Sequence, residues 1–299
     1  MGTKAAAGII SPAIAANGFV AVVLSKLMDQ LLECTALAAW ADDSGRVKQA
    51  RIGARRMREA LQLFGPRLHP KRAKQLVREL EVLAAPLDQL RELDVVLDLL
   101  DTELRRRQPV GDAVAETQDE TRRLVELLRT RRVALAAKAA RRLAPARLRP
   151  LASRLGRYAR GNERLLIETL KPRLHSRCER LERRADQLDA ADLSTMHALR
   201  RAARRVRYDL EALAPWLDPK PELLTAIRSL QDHLGAITDR EAVLSLLDAE
   251  TGPADPDDGL TKLRQRLHRQ IDKLLARTPR AAAPLHESLP KFDGILKPA

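Results

Sequence analysis

Two segments of this 299-residue chain place basic side chains at the same spacing. The segments span residues 47–64 and 196–213 and align at an offset of 149 residues. Four aligned positions in each, spaced three, four and three residues apart, carry side chains that can be cationic. We call these eight residues the basic stripes: Lys48, Arg51, Arg55 and Arg58 in the first segment, and His197, Arg200, Arg204 and Arg207 in the second. Since a guanidinium is permanently charged and offers paired N–H donors that suit phosphate oxygens, the stripes predict binding of a polyanion.

The spacing places each stripe along one edge of a helix. At about 100° per residue, the four positions of a stripe fall within an arc of about 80° and extend over roughly 15 Å. Tyr208 lies on the second arc and can add a hydroxyl donor, whereas Arg56 and Arg205 lie on the other flank and rank second. A separate apolar face is predicted to pack in the core: Val47, Ala50, Ala54, Met57 and Leu61.

Like charges along one helix edge repel and need neutralisation. Acidic residues in the segment after each stripe are placed to provide it: Glu92, Asp94, Asp239 and Glu241. For a single helix, a solvated or ion-paired face would be an adequate interpretation. Recurrence of the same stripe favours a ligand, because two such edges facing each other across a pseudo-two-fold axis would line one groove.

A second pair of similar segments follows the stripes. Residues 76–101 align with residues 223–248 at an offset of 147, so two helices recur in the same order. Alanine, leucine, arginine and glutamate dominate the composition and strand-forming patterns are sparse, which predicts an all-α fold built by internal duplication.

The helix signals divide the chain into two halves with a tail at each end. We expect a tail over 1–17, a first half over 18–155, a second half over 156–277 and a frayed or irregular C-terminal tail over 278–299. Pro86 predicts a kink. The expected helices cover 18–40, 45–64, 70–107, 112–143, one or two within 147–190, 194–214, 221–250 and 260–277.

Composition narrows the possible partners and the compartment. A net charge of +14 attracts acidic partners, although a GC-rich genome would explain many scattered arginines. Two cysteines without metal-ligand spacing indicate a reduced, cytoplasmic protein with buried thiols and no disulfide. Residues 5–24 carry no charge and superficially resemble a signal peptide or spanning helix, but Gly8, Pro12 and Gly18 interrupt them. We therefore expect neither secretion nor membrane insertion.

At these motifs the chain resembles the CHAD family, named for its conserved histidine and α-helical domain. The first copy reads Val47-Lys48-Gln49-Ala50-Arg51-Ile52-Gly53-Ala54-Arg55-Arg56-Met57-Arg58, then Arg91-Glu92-Leu93-Asp94. The second reads Met196-His197-Ala198-Leu199-Arg200-Arg201 and Arg204-Arg205-Val206-Arg207-Tyr208, then Leu230-Gln231-Asp232 and Asp239. The resemblance covers about residues 18–277. Lys48 stands where the family has histidine, and Glu92 where it has aspartate.

This resemblance implies two pseudo-symmetric bundles of about four helices each, with a basic groove or pore between them. It also implies binding of inorganic polyphosphate by the eight stripe residues and, for many members, association with polyphosphate granules. Whether the site is an open groove or a closed pore stays undecided, as does the oligomeric state.

Three other functions compete with polyphosphate binding as interpretations of the sequence. Because E-x-E-x-K, H-E-x-x-H, Walker and G-x-S-x-G motifs do not occur in the sequence, we expect no catalysis, no metal and no cofactor. Nonspecific nucleic-acid binding at low salt is the alternative, but seven aromatic residues offer few stacking platforms. The basic residues of 122–142 could coat an anionic membrane surface, but the apolar positions of that helix are explained more simply by core packing. Some of these arginines could widen the phosphate track, and the sequence does not say which.

Overall fold

A computed structural model of the chain describes residues 18–36, 40–106, 112–158, 166–189, 192–214, 221–251 and 260–289. The described residues contain helices and turns and no strand, which confirms the predicted all-α class. The helices are α1 (Phe19–Thr35), a short 3-10 turn (Trp40–Asp42), α2 (Ser44–Leu68), α3 (Pro70–Arg106), α4 (Asp112–Arg142), α5 (Pro145–Tyr158), α6 (Leu166–Asp186), α7 (Leu193–Leu213), α8 (Pro221–Thr251), α9 (Thr261–Leu275) and α10 (Thr278–Ser288).

The two stripe helices, α2 and α7, begin at side-chain caps. The carboxylate of Asp43 accepts the backbone N–H of Arg46 at 3.1 Å, and that of Asp192 accepts the N–H of Ser194 at 2.8 Å. Each cap satisfies a backbone donor that has no partner within the first helical turn. The predicted apolar face of α2 is buried, with no more than 3% exposure at any of its five residues. The stripes therefore run along the edge that the core leaves uncovered.

Helices of the same copy pack together, and counterpart helices meet between the copies. α2 packs against α1 and α3, α3 also packs against α4, and α5 covers α1 and α3. In the second half α7 packs against α6 and α8, and α8 also contacts α9 and α10. Between the halves α2 contacts α7 and α3 contacts α8. This pairing of counterparts is what a duplicated unit with a pseudo-two-fold axis would give, and the axis itself stays a prediction.

Arginines from other helices replace hydrogen bonds that two prolines remove. α2 was predicted to end at Gly65-Pro66 but continues to Leu68. A proline has no N–H for the carbonyl four residues earlier, which for Pro66 is Gln62. That carbonyl accepts a bond from Arg173 at 2.8 Å. The carbonyl of Val82, four residues before Pro86 in α3, accepts one from Arg142 at 2.9 Å.

The C-terminal tail prediction is wrong for residues 278–288, which form α10. Pro279 stands in the first turn, where a backbone N–H would have no helical partner, so it favours the helix start. Ala282, Leu285 and Leu289 are buried. The ring of His233 on α8 contacts the hydroxyl of Thr278 at 3.0 Å. The prolines of this segment suggested that it would fray. It is helical instead, because Pro279 is compatible with the first turn and because its apolar side chains are buried.

Neither cysteine is in a disulfide, and burial raises the pKa of both thiols. Cys178 is buried as predicted, whereas Cys34 is only half-buried. Among the described helices, none has the length and apolarity needed to cross a membrane. Most of the uncharged segment 5–24 lies outside the described residues.

A buried ion pair joins α6 to α7 and gives a test of the fold. Arg177 donates to Asp209, and their side chains are 10% and 0% exposed. Burial raises the pKa of Asp209 to about 6, although the charge of Arg177 opposes that rise. Removing the guanidinium would raise this pKa further, because the carboxylate would lose its compensating charge.

We expect Arg177→Met to lower the free energy of unfolding by about 3–5 kcal/mol, since an uncompensated carboxylate would be left in the core. The loss should be smaller at about pH 5 than at about pH 8, because Asp209 can be protonated at the lower pH. Urea unfolding at both pH values measures it. Arg184→Met, an exposed position on the same helix, is the control and should change little. Equal losses for the two variants would contradict this account of the ion pair.

Candidate anion-binding site

The packing of α2 against α7 brings four stripe arginines together. We call Arg51, Arg55, Arg200 and Arg204 the central arginines. Arg51 lies close enough to Arg200, and Arg55 close enough to Arg204, for each charge to lower the pKa of the facing arginine. The two stripes therefore approach each other at their middle positions. Cations held this close create a strongly positive potential that an anion would relieve.

In the first half, Asp88 on α3 pairs with both central arginines of α2. One carboxylate oxygen of Asp88 accepts from Nε of Arg51 and from Nη2 of Arg55, both at 2.6 Å. Burial opposes ionisation of Asp88, but the charges and hydrogen bonds of Arg55 and Arg51 outweigh it and lower the pKa of the carboxyl. This pairing fixes the two guanidiniums in place without cancelling both charges.

The second half has no acid at the corresponding position. At the offset of 147 residues, Asp88 aligns with Gly235, and the guanidinium of Arg200 lies over this glycine. A Cβ built at Gly235 would meet Nη2 of Arg200 at 3.5 Å and Nε at 4.0 Å. The charge of Asp239 opposes the effect of burial on the pKa of Arg200, but the two side chains form no ion pair in the described structure. Within the described part of the chain, no ion pair or hydrogen bond holds Arg200.

Arg204 is the most strongly perturbed of the central arginines. Burial, followed by the charge of Arg55, lowers the pKa of its guanidinium to about 10. The group still carries a positive charge at neutral pH. Among the residues that the structure describes, Arg204 has no ion-pair partner and no hydrogen bond. It is a cation held partly out of water with no anion bound to it, which is unfavourable unless a ligand supplies one.

Several buried Nε donors of the stripe arginines also lack acceptors. The Nε atoms of Arg55, Arg58 and Arg207 are buried and have no hydrogen-bond partner in the described structure. A cavity of about 120 Å³ between α2 and α3 is lined by Arg51, Arg55 and Arg58 on one side and by Glu81 and Asp88 on the other. Buried donors are normally satisfied, so these positions suit an anionic acceptor.

Tyr208 is buried against the arginines of both stripe helices. The guanidinium carbons of Arg207 and Arg56 lie 4.9 Å and 5.8 Å from the ring centroid, within range of a cation–π interaction. Its phenol oxygen is close enough to raise the pKa of Arg55, Arg200 and Arg204. The phenol group therefore lies near the central arginines, and its role as a donor to the same ligand stays a prediction.

The outer stripe positions differ in exposure, since Arg58 and Arg207 are about as buried as Arg51 and Arg55. Lys48 and His197 are exposed, and the ring Nδ1 of His197 contacts the carbonyl oxygen of Leu193 at 2.8 Å. When Nδ1 donates to that carbonyl, Nε2 is left for an external partner. Arg58 makes only loose contacts with Glu59 and Glu81, at 3.7 Å and 3.8 Å. Arg207 lies 3.8 Å from Glu211. These positions can extend the central site at either end.

Of the acids predicted to neutralise the stripes, the structure places two near them. Asp239 acts on Arg200 and Arg51, and Glu241 lies within electrostatic range of His197. The prediction for Asp94 is wrong, because its carboxylate binds Arg132 of α4 at 2.6 Å. Glu92 is exposed and has no ion pair with a stripe residue in the described structure. The pairing of Asp88 with the first stripe was not predicted from the sequence. Its alignment with Gly235 would have shown that the two copies differ at this position.

Arg56 and Arg205, which ranked second, connect the two halves. Arg56 on α2 donates to Glu211 on α7 at 2.8 Å, and Arg205 on α7 donates to Glu59 on α2 at 3.3 Å. Both arginines therefore form ion pairs across the interface between α2 and α7. The structure assigns them to holding the stripe helices together.

Some of the basic residues of α4 also form ion pairs or hydrogen bonds with other helices. Arg129 pairs with Asp101, Arg131 with Glu250 and Arg132 with Asp94. Arg142 caps the carbonyl of Val82. These contacts explain four of the basic residues in 122–142 without a ligand.

Comparisons with known proteins agree with this architecture. A model of the CHAD domain matches residues 22–248. The crystal structure of the CHAD domain from the plant Ricinus communis superposes with a TM-score of 0.68 and 21% identity, covering 97% of this chain and 96% of that one. PptA from Streptomyces chartreusis superposes with a TM-score of 0.66 and 16% identity, covering 92% of this chain and all of the other. No curated protein sequence matches.

At these identities the two structures establish the fold and not the ligand. The CHAD domain match covers well over half of the sequence and includes both stripe helices with the helix that follows each. The chain therefore belongs to the CHAD domain family.

Proposed function

We propose that this protein binds inorganic polyphosphate along the two basic stripes and does not transform it. The observation that carries the proposal is the state of Arg200 and Arg204. Both are largely removed from water beside Arg51 and Arg55, and neither has an anion bound to it among the described residues. A chain of phosphates would supply the missing negative charge through charge-assisted hydrogen bonds.

The length of the stripes favours a polymer over a single phosphate. Each stripe extends over roughly 15 Å, so successive phosphate groups can meet successive cations. Once one phosphate is bound, its neighbours are held at high effective concentration, and long chains gain affinity without new types of contact. Membership of the CHAD family supports this choice, because the resemblance implies a polyphosphate ligand.

Nucleic acid is the rival ligand, and the surroundings of Tyr208 argue against it. Arg56 and Arg207 lie against this ring, and the side chain is 5% exposed. It therefore offers no open face on which a base could stack. The proposal includes a cytoplasmic location with association to polyphosphate granules, which rests on the reduced cysteines and on the family resemblance.

The proposal predicts a strong dependence of affinity on chain length and salt. Long polyphosphate should bind at least about 100-fold more tightly than tripolyphosphate at about 150 mM salt, because more phosphates engage the stripes. The slope of log K against log salt should become shallower by roughly one for each stripe cation removed. Titration calorimetry over a salt series measures both. Equal affinity for tripolyphosphate and long chains would contradict binding along the stripes.

A further inference from the structure

Besides the stripes, the duplicated fold contains two cavities, one beside each stripe helix. The α6 cavity, of about 440 Å³, lies between α6, α2, α3 and Arg205 of α7. The α1 cavity, of about 360 Å³, lies between α1, α7, Arg56 of α2 and Arg228 of α8. The residues that α1 and α6 contribute align at an offset of 150: Val23, Lys26, Leu27 and Gln30 with Arg173, Ser176, Arg177 and Arg180. The two cavities are therefore equivalent sites of the two halves.

The two cavities differ in charge. In the α1 cavity, Arg56 and Arg228 both bind the carboxylate of Glu211, at 2.8 Å and 3.3 Å, and Lys26, which aligns with Ser176, is the third cation of the lining. In the α6 cavity, Arg180 replaces Gln30, and Lys74 stands where the second half has Pro221. Lys74 and Arg180 are exposed and have no ion pair or hydrogen bond in the described structure.

The other cations of the α6 cavity have partners and hold its walls. Arg177 binds Asp209, Arg205 binds Glu59, and Arg173 donates to the carbonyl of Gln62. These contacts fix three guanidiniums around the cavity and leave Lys74 and Arg180 as the uncompensated charges. The site thus consists of three arginines held by these contacts and two cations available to a ligand.

The rest of the α6 cavity is apolar. Leu61 and Ala73 are buried, Val77 is half-buried, and Pro70 completes the lining. The volume falls in the range of about 300–1,000 Å³ that is usual for small-molecule sites. An apolar wall beside unpaired cations suits a ligand with an apolar or planar body and an anionic group. A bare polyphosphate would leave the apolar wall without a partner.

We infer that the α6 cavity is a binding site for a small organic phosphate, a class that nucleotides exemplify. Lys74 and Arg180 hold the phosphate groups, and the body of the ligand packs against Leu61 and Val77. The basic stripes are a separate site, since none of the eight stripe residues lines this cavity. The inference is therefore independent of polyphosphate binding.

Titration calorimetry with ATP as the probe tests this site at about 150 mM salt, where weak surface attraction is screened. We expect wild type to bind one ATP and the double variant Lys74→Ala/Arg180→Ala to bind it at least tenfold more weakly. The matched control is Lys26→Ala/Gln30→Ala in the α1 cavity, which should bind ATP as wild type does. Both variants alter exposed or half-exposed side chains, and thermal unfolding verifies that they stay folded.

A third variant separates the cavity from the stripes. Arg200→Ala/Arg204→Ala should bind ATP within about twofold of wild type while losing long polyphosphate. Three results would overturn the inference: no ATP binding by wild type, unchanged binding by the Lys74/Arg180 variant, or loss of ATP binding in the Arg200/Arg204 variant. Tripolyphosphate should compete for this site more weakly than ATP does, because it has no apolar or planar group to pack against the apolar wall.

Discussion

The double variant Arg200→Ala/Arg204→Ala is expected to bind long polyphosphate about 100- to 10,000-fold more weakly than wild type. Charge-assisted hydrogen bonds contribute about 1.5–3 kcal/mol each, and tenfold in affinity corresponds to about 1.4 kcal/mol. These two arginines should have the largest effect because, among the described residues, no acid is paired with either. Neither charge is taken up by an ion pair, so both are available to the ligand. Titration calorimetry with polyphosphate of defined length measures the loss.

The same variant should fold at least as well as wild type when no ligand is present. Burial lowers the pKa of both guanidiniums, and Arg51 and Arg55 lower it further, so each charge is held at a cost in the free protein. The matched control is Arg149→Ala/Arg184→Ala, which removes two exposed cations on α5 and α6, helices that carry no stripe residue. If the control loses as much affinity, net charge rather than the stripe determines binding.

Gly235→Asp is the second variant with a large expected effect. It restores, in the second half, the carboxylate that Asp88 provides in the first. The backbone is helical at Gly235, and a Cβ there would make only ordinary contacts with Arg200, at 3.5 Å and 4.0 Å. A carboxylate at this position would pair with Arg200 and compete with phosphate. We expect affinity for long polyphosphate to fall about 10- to 100-fold, the equivalent of one charge-assisted hydrogen bond.

Two companion variants isolate the role of charge at this position. Gly235→Asn has nearly the same shape as Gly235→Asp without the charge, and it should lower affinity much less. Asp88→Asn should act in the opposite direction, releasing Arg51 and Arg55 to bind phosphate more tightly while lowering stability without ligand. Calorimetry and urea unfolding measure the two effects. Equal losses for the aspartate and asparagine variants at Gly235 would mean that crowding, not neutralisation, is responsible.

The sequence predicted the stripe helices well because both depend on local signals. Caps at Asp43 and Asp192 and the apolar periodicity of α2 fix where these helices begin and which edge stays uncovered. The duplication predicted that the stripes would meet. The central arginines do lie together, since α2 packs against α7.

The partners of the stripe charges could not be predicted in the same way. Whether Asp88 or Asp94 reaches α2 depends on the rotation of α3, which its packing against both α2 and α4 determines. Asp94 faces Arg132 instead. The continuation of α2 beyond Gly65 depends on Arg173, which comes from a distant part of the chain. Contacts of this kind carry no local sequence signal.

Competition between long polyphosphate and duplex DNA for the wild-type protein at about 150 mM salt tests the central claim most directly. The account predicts that polyphosphate displaces bound DNA completely at equal phosphate concentration, whereas DNA displaces little bound polyphosphate. If the two polymers displace each other equally, the stripes are a general basic surface and the proposed function is wrong.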